Sequence, residues 1–138
     1  MNVYYFDTCI WLDLWELRDE LNFPRGKLAE KLVRKIVREN GRIVYSDLTL
    51  VELQDAGYTL QEITERFRDL RRILEFVQST EKQIGRAAEL SQRREVPRGD
   101  ALHALIARNE RAALVTYDLH FQRLKDITDP KTPREISS

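Results

Sequence analysis

One cysteine, two histidines and no net charge are all that 138 residues offer in these respects, and each scarcity excludes something. A single thiol, Cys9, closes no internal disulfide, so a reducing compartment is expected. Cys9, His103 and His120 are too few and too scattered to form a Cys/His zinc site. With 23 basic side chains against 23 acidic ones, a strongly basic binding protein is excluded, although local basic patches are not. No stretch approaches the roughly 20 apolar residues of a membrane span, and no basic segment leads into an apolar one at the start. A soluble, cytoplasmic protein with no membrane partner is expected. Internal repeats, low-complexity stretches and linkers are also missing, so residues 1–138 read as one domain around one core.

What the chain does contain is an alternation of short apolar runs with helical periodicity. Val3-Tyr4-Tyr5-Phe6 predicts a strand closed by Asp7-Thr8. Ile10, Leu14 and Leu17 mark a helix face that breaks near Asn22-Phe23-Pro24. Leu28, Leu32, Val33, Ile36 and Val37 predict a second helix, stopped by Asn40-Gly41. Ile43-Val44-Tyr45 predicts a strand closed by Ser46, followed by a helix that carries Leu48, Val51 and Glu52 and fades towards Gly57. Leu60, Ile63, Phe67, Leu70 and Leu74 form one apolar stripe, and Leu74 to Val77 would finish it as a short strand. Ser79-Thr80 reads as a fresh cap for a helix through Ile84, Ala87, Ala88 and Ser91. Beyond Pro97 and Gly99, the run 101–107 is apolar on nearly every side, which describes a buried helix. Ala113 to Thr116 predicts a third clear strand, then Asp118 and a short helix through Phe121, with a weak strand signal at Ile127.

This βα order predicts an α/β fold with a mostly parallel central sheet covered by helices. Right-handed crossovers would place the strand C-termini on one edge, where ligands of such sheets bind. Four acids stand at the corresponding junctions: Asp7, Glu52, Asp100 and Asp118. Asp100 reaches that edge only if its helix points its N-terminus the same way. Each acid alone has an ordinary explanation. Asp7 would cap the next helix, Glu52 would close a capping box with Thr49, Asp100 would open a helix, and Asp118 would sit in a turn. As a set, those explanations need four independent caps on one sheet edge. Gathered carboxylates suit a hard cation such as Mg²⁺ or Mn²⁺, which polarises water and neutralises charge on a phosphate. A phosphatase using Asp7 as nucleophile would want a second aspartate two residues on, where Cys9 stands.

Asp7-Thr8 after a hydrophobic strand, Glu52 in Ser46 to Glu52, Asp100-Ala101-Leu102-His103-Ala104 and Thr116-Tyr117-Asp118-Leu119-His120-Phe121 together resemble the PIN-domain signature, as does the late Pro133-Arg134-Glu135-Ile136. The resemblance runs over nearly the whole chain. It implies a three-layer α/β/α sandwich and a Mg²⁺- or Mn²⁺-dependent endoribonuclease in which Asp7, Glu52, Asp100 and Asp118 hold the metal. It places Thr116, and in a similar way Thr8, beside the acids as water-positioning groups. Small members are often VapC-like toxins, so the resemblance also implies an RNA substrate, a cognate antitoxin and a homodimer. The antitoxin would lay an apolar helix in a surface groove and bring a basic side chain to the acids. A non-toxin nuclease of RNA processing, or a PIN-like module that binds RNA or protein without cutting, stands beside that reading. Tyr117 replaces a common small polar residue, which would narrow access, and Cys9 departs from the usual Ser, Val or Ala.

Other residues carry weaker expectations. His103 could approach the site, but its place on the buried helix favours a packed histidine. Trp11 and Trp15 at helical spacing favour core or interface packing over base stacking. Arg66, Arg68, Arg71 and Arg72, with Arg93, Arg94 and Arg98, are candidate phosphate contacts, although such runs are usually solvated faces. Arg98 leads them because it lies beside Asp100.

Overall fold

A computed structural model describes residues 2–18 and 23–137. Four strands form one sheet: β1 (Val3–Phe6), β2 (Arg42–Ser46), β3 (Leu74–Val77) and β4 (Ala113–Val115). They run parallel in the order β3-β2-β1-β4. β1 is central, with Tyr5 opposite Val44 on one side and Leu114 on the other. Successive side chains of a strand point to opposite faces, and here both faces are covered. Tyr4, Phe6, Ile43 and Val115 join one buried cluster, whereas Tyr5, Val44 and Leu114 join another. The sheet is thus the middle layer of an α/β/α sandwich, as expected.

The first helical layer holds α1 (Thr8–Glu16), α2 (Arg25–Arg38), α3 (Asp47–Asp55) and α4 (Leu60–Arg68). It buries Ile10, Trp11, Leu32, Ile36, Leu53 and Ile63 against Phe6. Trp11 has no exposed surface and packs on Phe6 and Phe67, each at 5.0 Å between ring centroids. Full burial of a large side chain of this kind contributes roughly 1.5–3 kcal/mol. Trp15 rests edge-on against Tyr58, with the Arg66 guanidinium over both rings. The tryptophans are packing residues, and Arg66 is engaged with them.

The second layer holds α5 (Glu81–Arg94), α6 (Arg98–Asn109) and a 3-10 helix (Leu119–Leu124). Ala101, Ala104 and Ala107 are small enough to bring α6 close to the sheet, and α5 seals it with Ala87 and Leu90. Thr80 caps α5 through a reciprocal bond with Gln83, the box that Ser79-Thr80 announced. Finally α7 (Pro133–Ser137) packs beside α2.

Several expectations shift. The stripe from Leu60 to Leu74 outruns its helix, since α4 ends at Arg68 and the chain turns, but the short strand expected at Leu74 to Val77 is there as the edge strand β3. Leu60 is 54% exposed, while Ile63 and Phe67 are buried. Leu17 is also exposed, because it closes α1 in the left-handed conformation at φ 48°. Ile127 lies in a turn and forms no strand; the bridge to Val115 comes from Lys131. Of the predicted break, Asn22 lies outside the described residues, and Pro24 is the N-cap of α2.

Candidate metal centre

The strand ends place the first acid. Asp7 follows β1, and its backbone N–H donates to Val115 O at 3.0 Å, extending the β1–β4 ladder by one residue. It occupies the N-cap position of α1 but makes no side-chain cap bond. Its Oδ2 accepts instead from Thr116 Oγ1 at 2.8 Å. Thr116 Oγ1 also accepts from the Asp118 backbone N–H at 3.0 Å, so one hydroxyl ties the first acid to the last.

Glu52 stands in the second half of α3 and does not close a box with Thr49. The capping box is formed by Ser46 and Thr49, because the last residue of β2 is itself the helix cap. Freed from capping, Glu52 points to the sheet edge, where its Oε1 accepts from Thr8 Oγ1 at 2.5 Å and from His103 Nε2 at 2.6 Å. Asp100 lies in the first turn of α6, which starts at Arg98 with Pro97 as N-cap. That helix does point its N-terminus towards the strand ends, and Asp100 Oδ2 lies 3.1 Å from His120 Nδ1. Asp118 caps the 3-10 helix through the His120 N–H at 2.8 Å and also lies 3.1 Å from its Nδ1. Its capping explanation holds, alongside a place in the cluster.

Among the described residues, donor atoms within 4.8 Å of one another form two sets, Asp7–Glu52–His103 and Asp100–Asp118–His120. The first is the floor, with Asp7 6% and His103 0% exposed. The second is the rim, where His120 is open to solvent. Charge links them. Burial pushes the Asp7 carboxyl up, and Glu52 and Asp118 add to that against His103 and Thr116. Asp100 is pushed up to about 6 by burial and by the charges of Asp118 and Asp7. Burial would raise Glu52 too, but His103 and Thr8 together hold it below the usual carboxylate range. His103 is raised despite its burial by Glu52, Asp7 and Asp100. Carboxylates that raise one another in this way are the environment a divalent cation relieves, and the donors are the oxygens that Mg²⁺ and Mn²⁺ take. The residues present fit such an ion.

His103, read as able to approach the site but favoured as a packing residue, does both, whereas His120 carried no such reading. His103 is a buried packing residue and a hydrogen-bond donor to Glu52 at once; its spacing of three from Asp100 was the available signal. His120, two residues after Asp118, was legible only as part of a turn. Tyr117 turns away from the acids to pack against Phe23 at 5.2 Å and under the Arg25 guanidinium at 4.9 Å. Arg94 is engaged with Asp126 through both terminal nitrogens, whereas Arg98 is exposed next to Asp100.

Parallel strands that deliver acids to one edge beside a helix N-terminus define an α/β protein with a cation-ready carboxylate centre. The family model described as the PIN domain matches residues 4–127, and the chain belongs to that family. No curated protein sequence matches significantly. Among solved structures, a toxin–antitoxin complex from Klebsiella pneumoniae is similar, with a TM-score of 0.66 at 18% identity over 94% of this chain and 97% of that one. VapBC2 from Rickettsia felis, bound to a DNA fragment from its promoter, has a TM-score of 0.60 at 23% identity, covering 94% and 98%. PAE2754 from Pyrobaculum aerophilum has a TM-score of 0.56 at 16% identity, covering 99% and 96%. At these identities the likeness concerns the fold.

Proposed function

We propose that the protein is a Mg²⁺- or Mn²⁺-dependent endoribonuclease and the toxin of a toxin–antitoxin pair. The observation that carries the nuclease reading is the gathering of Asp7, Glu52, Asp100 and Asp118 at the sheet edge, with Asp7 bonded into the site and not to its own helix. These four carboxylates would hold the cation, which supplies charge neutralisation at a phosphate and a lowered pKa for attacking water. Thr116 holds Asp7 in place and ties it to the Asp118 backbone. Thr8 and His103 keep Glu52 ionised and oriented. Burial of the floor excludes bulk water from behind the acids, and Arg98, exposed beside Asp100, would meet a phosphate of the RNA.

Purified protein incubated with single-stranded RNA tests this. Cleavage is expected with Mg²⁺ or Mn²⁺, absent with chelator, and lost in Asp7→Asn and Asp100→Asn. Intact RNA under every condition would instead favour a binding module. The toxin role draws its support from the family and from the similar toxin–antitoxin structures. Growth arrest on expression, relieved by co-expressing the product of an adjacent small reading frame, is the expected result; arrest by Asp7→Asn as well would sink it. A homodimer completes the proposal, and sedimentation of the purified protein decides it.

A further inference from the structure

Glu52 is the acid gripped from the interior. Its Oε1 already accepts two hydrogen bonds, from Thr8 and from His103. An ionised carboxylate only accepts, so the hydrogen of the 2.6 Å contact belongs to His103 Nε2. On the far side of the imidazole, Nδ1 lies 2.6 Å from the Tyr5 hydroxyl, which lies 2.7 Å from Ser46 Oγ. Ser46 is immobilised as the N-cap of α3, accepting from the Thr49 N–H. Tyr5, Ser46 and His103 are all fully buried, so the imidazole is fixed at both nitrogens by groups on the sheet and on α3.

The other oxygen, Oε2, lies where a side chain at residue 99 would crowd it. A Cβ at Gly99 would stand 3.0 Å from it, closer than ordinary van der Waals contact. Glycine is disfavoured within a helix, yet residue 99 lies in the first turn of α6 with nothing else near its missing side chain. The close approach of Glu52 is the contact a side chain there would disturb.

We infer that Thr8, His103 and Gly99 form a clamp that fixes the Glu52 carboxylate, with Oε1 occupied by two donors, and that His103, steadied by Tyr5, is the positioning residue of the metal centre. The inference rests on the metal-dependent reading proposed above. A carboxylate with one oxygen engaged by two donors would offer a cation chiefly the other, and the cation would supply charge neutralisation at a phosphate. Partners that orient a ligand in this manner are commonly worth roughly tenfold to a hundredfold in metal affinity.

Mn²⁺ titration of the purified protein, followed by the electron paramagnetic resonance of free Mn²⁺, is the direct test, with RNA cleavage across Mg²⁺ concentrations beside it. Gln at 103 can bring an amide N–H to the place of Nε2; Asn is too short. His103→Asn and Gly99→Ala are therefore expected to weaken Mn²⁺ binding roughly tenfold to a hundredfold, with His103→Gln within about threefold of wild type. The RNA KM at saturating metal should hardly move. The melting temperature of Gly99→Ala in chelator is measured beside the titration, and an unchanged value assigns weak Mn²⁺ binding to the metal centre and not to misfolding. Should the His103 variants fail to fold, Gly99→Ala decides alone. Wild-type Mn²⁺ affinity in Gly99→Ala, or equal loss in folded Asn and Gln variants, overturns the clamp. Wild-type protein that binds Mn²⁺ but cuts no RNA overturns the ribonuclease reading alone, and the Mn²⁺ series still judges the clamp. Wild-type protein that binds no Mn²⁺ overturns both.

Discussion

Asp7 carries a conflict around which the site is organised. It is buried, its neighbours Glu52 and Asp118 are also acidic, and Thr116 and His103 oppose the resulting push on its carboxyl. Asp7→Asn keeps an oxygen that can accept from Thr116 and removes the buried charge. Cleavage should vanish while the melting temperature in chelator rises by a few degrees, a trade of stability for function that calorimetry can read. A lower melting temperature would mean that the charge is already compensated within the fold. Thr116→Val makes the complementary change: it keeps the side-chain volume but deprives Asp7 Oδ2 of its donor. About tenfold weaker Mn²⁺ binding is expected, measured by the same titration used for Gly99→Ala.

At the scale of elements, what the sequence revealed follows from which forces are local. β1, β2 and β4 were legible because buried parallel strands read as short apolar runs, and α6 because it is apolar nearly all round. The helix after Ser46 was read where α3 lies; what fails is the alternative that made Glu52 a capping partner of Thr49. Thr49 and Glu52 have capping-box spacing, but Ser46 does double duty as strand end and cap, which only the sheet boundary makes plain. The four acids were legible from their junctions, whereas the histidine contacts depend on tertiary approach: Glu52 and His103 are 51 residues apart. The exit from α3 offers a clean test of backbone cost. Gly57 sits at φ +106° with open space where a side chain would go, so Gly57→Ala meets strain without collision. Its urea midpoint should fall by an amount equivalent to about 1 kcal/mol, with m unchanged. An unchanged midpoint would show that the turn relaxes.

For the whole molecule, the acids couple folding to pH and, if the proposed metal centre is right, to metal. Asp100, ordinarily near 3.8, titrates at about 6 in the folded chain. The folded state therefore holds this proton more tightly than the unfolded state, and stability without metal falls as pH rises from about 4 to about 6. A cation binding the ionised carboxylates reverses that loss. Mn²⁺ should raise the melting temperature much more at about pH 7.5 than at about pH 5, by calorimetry. Equal shifts at both would count against a site built on Asp100. The Thr116–Asp7 hydrogen bond spans 109 residues and joins β1 to the end of β4. Chains emerge from the ribosome N-terminus first, at roughly 5–20 residues per second. Asp7 is thus made early and waits, inert, for nearly the entire chain to be translated before its partner exists. A product stalled short of β4 would carry Asp7 without the hydroxyl that fixes it, so the geometry of the first acid waits on the last strand of the sheet.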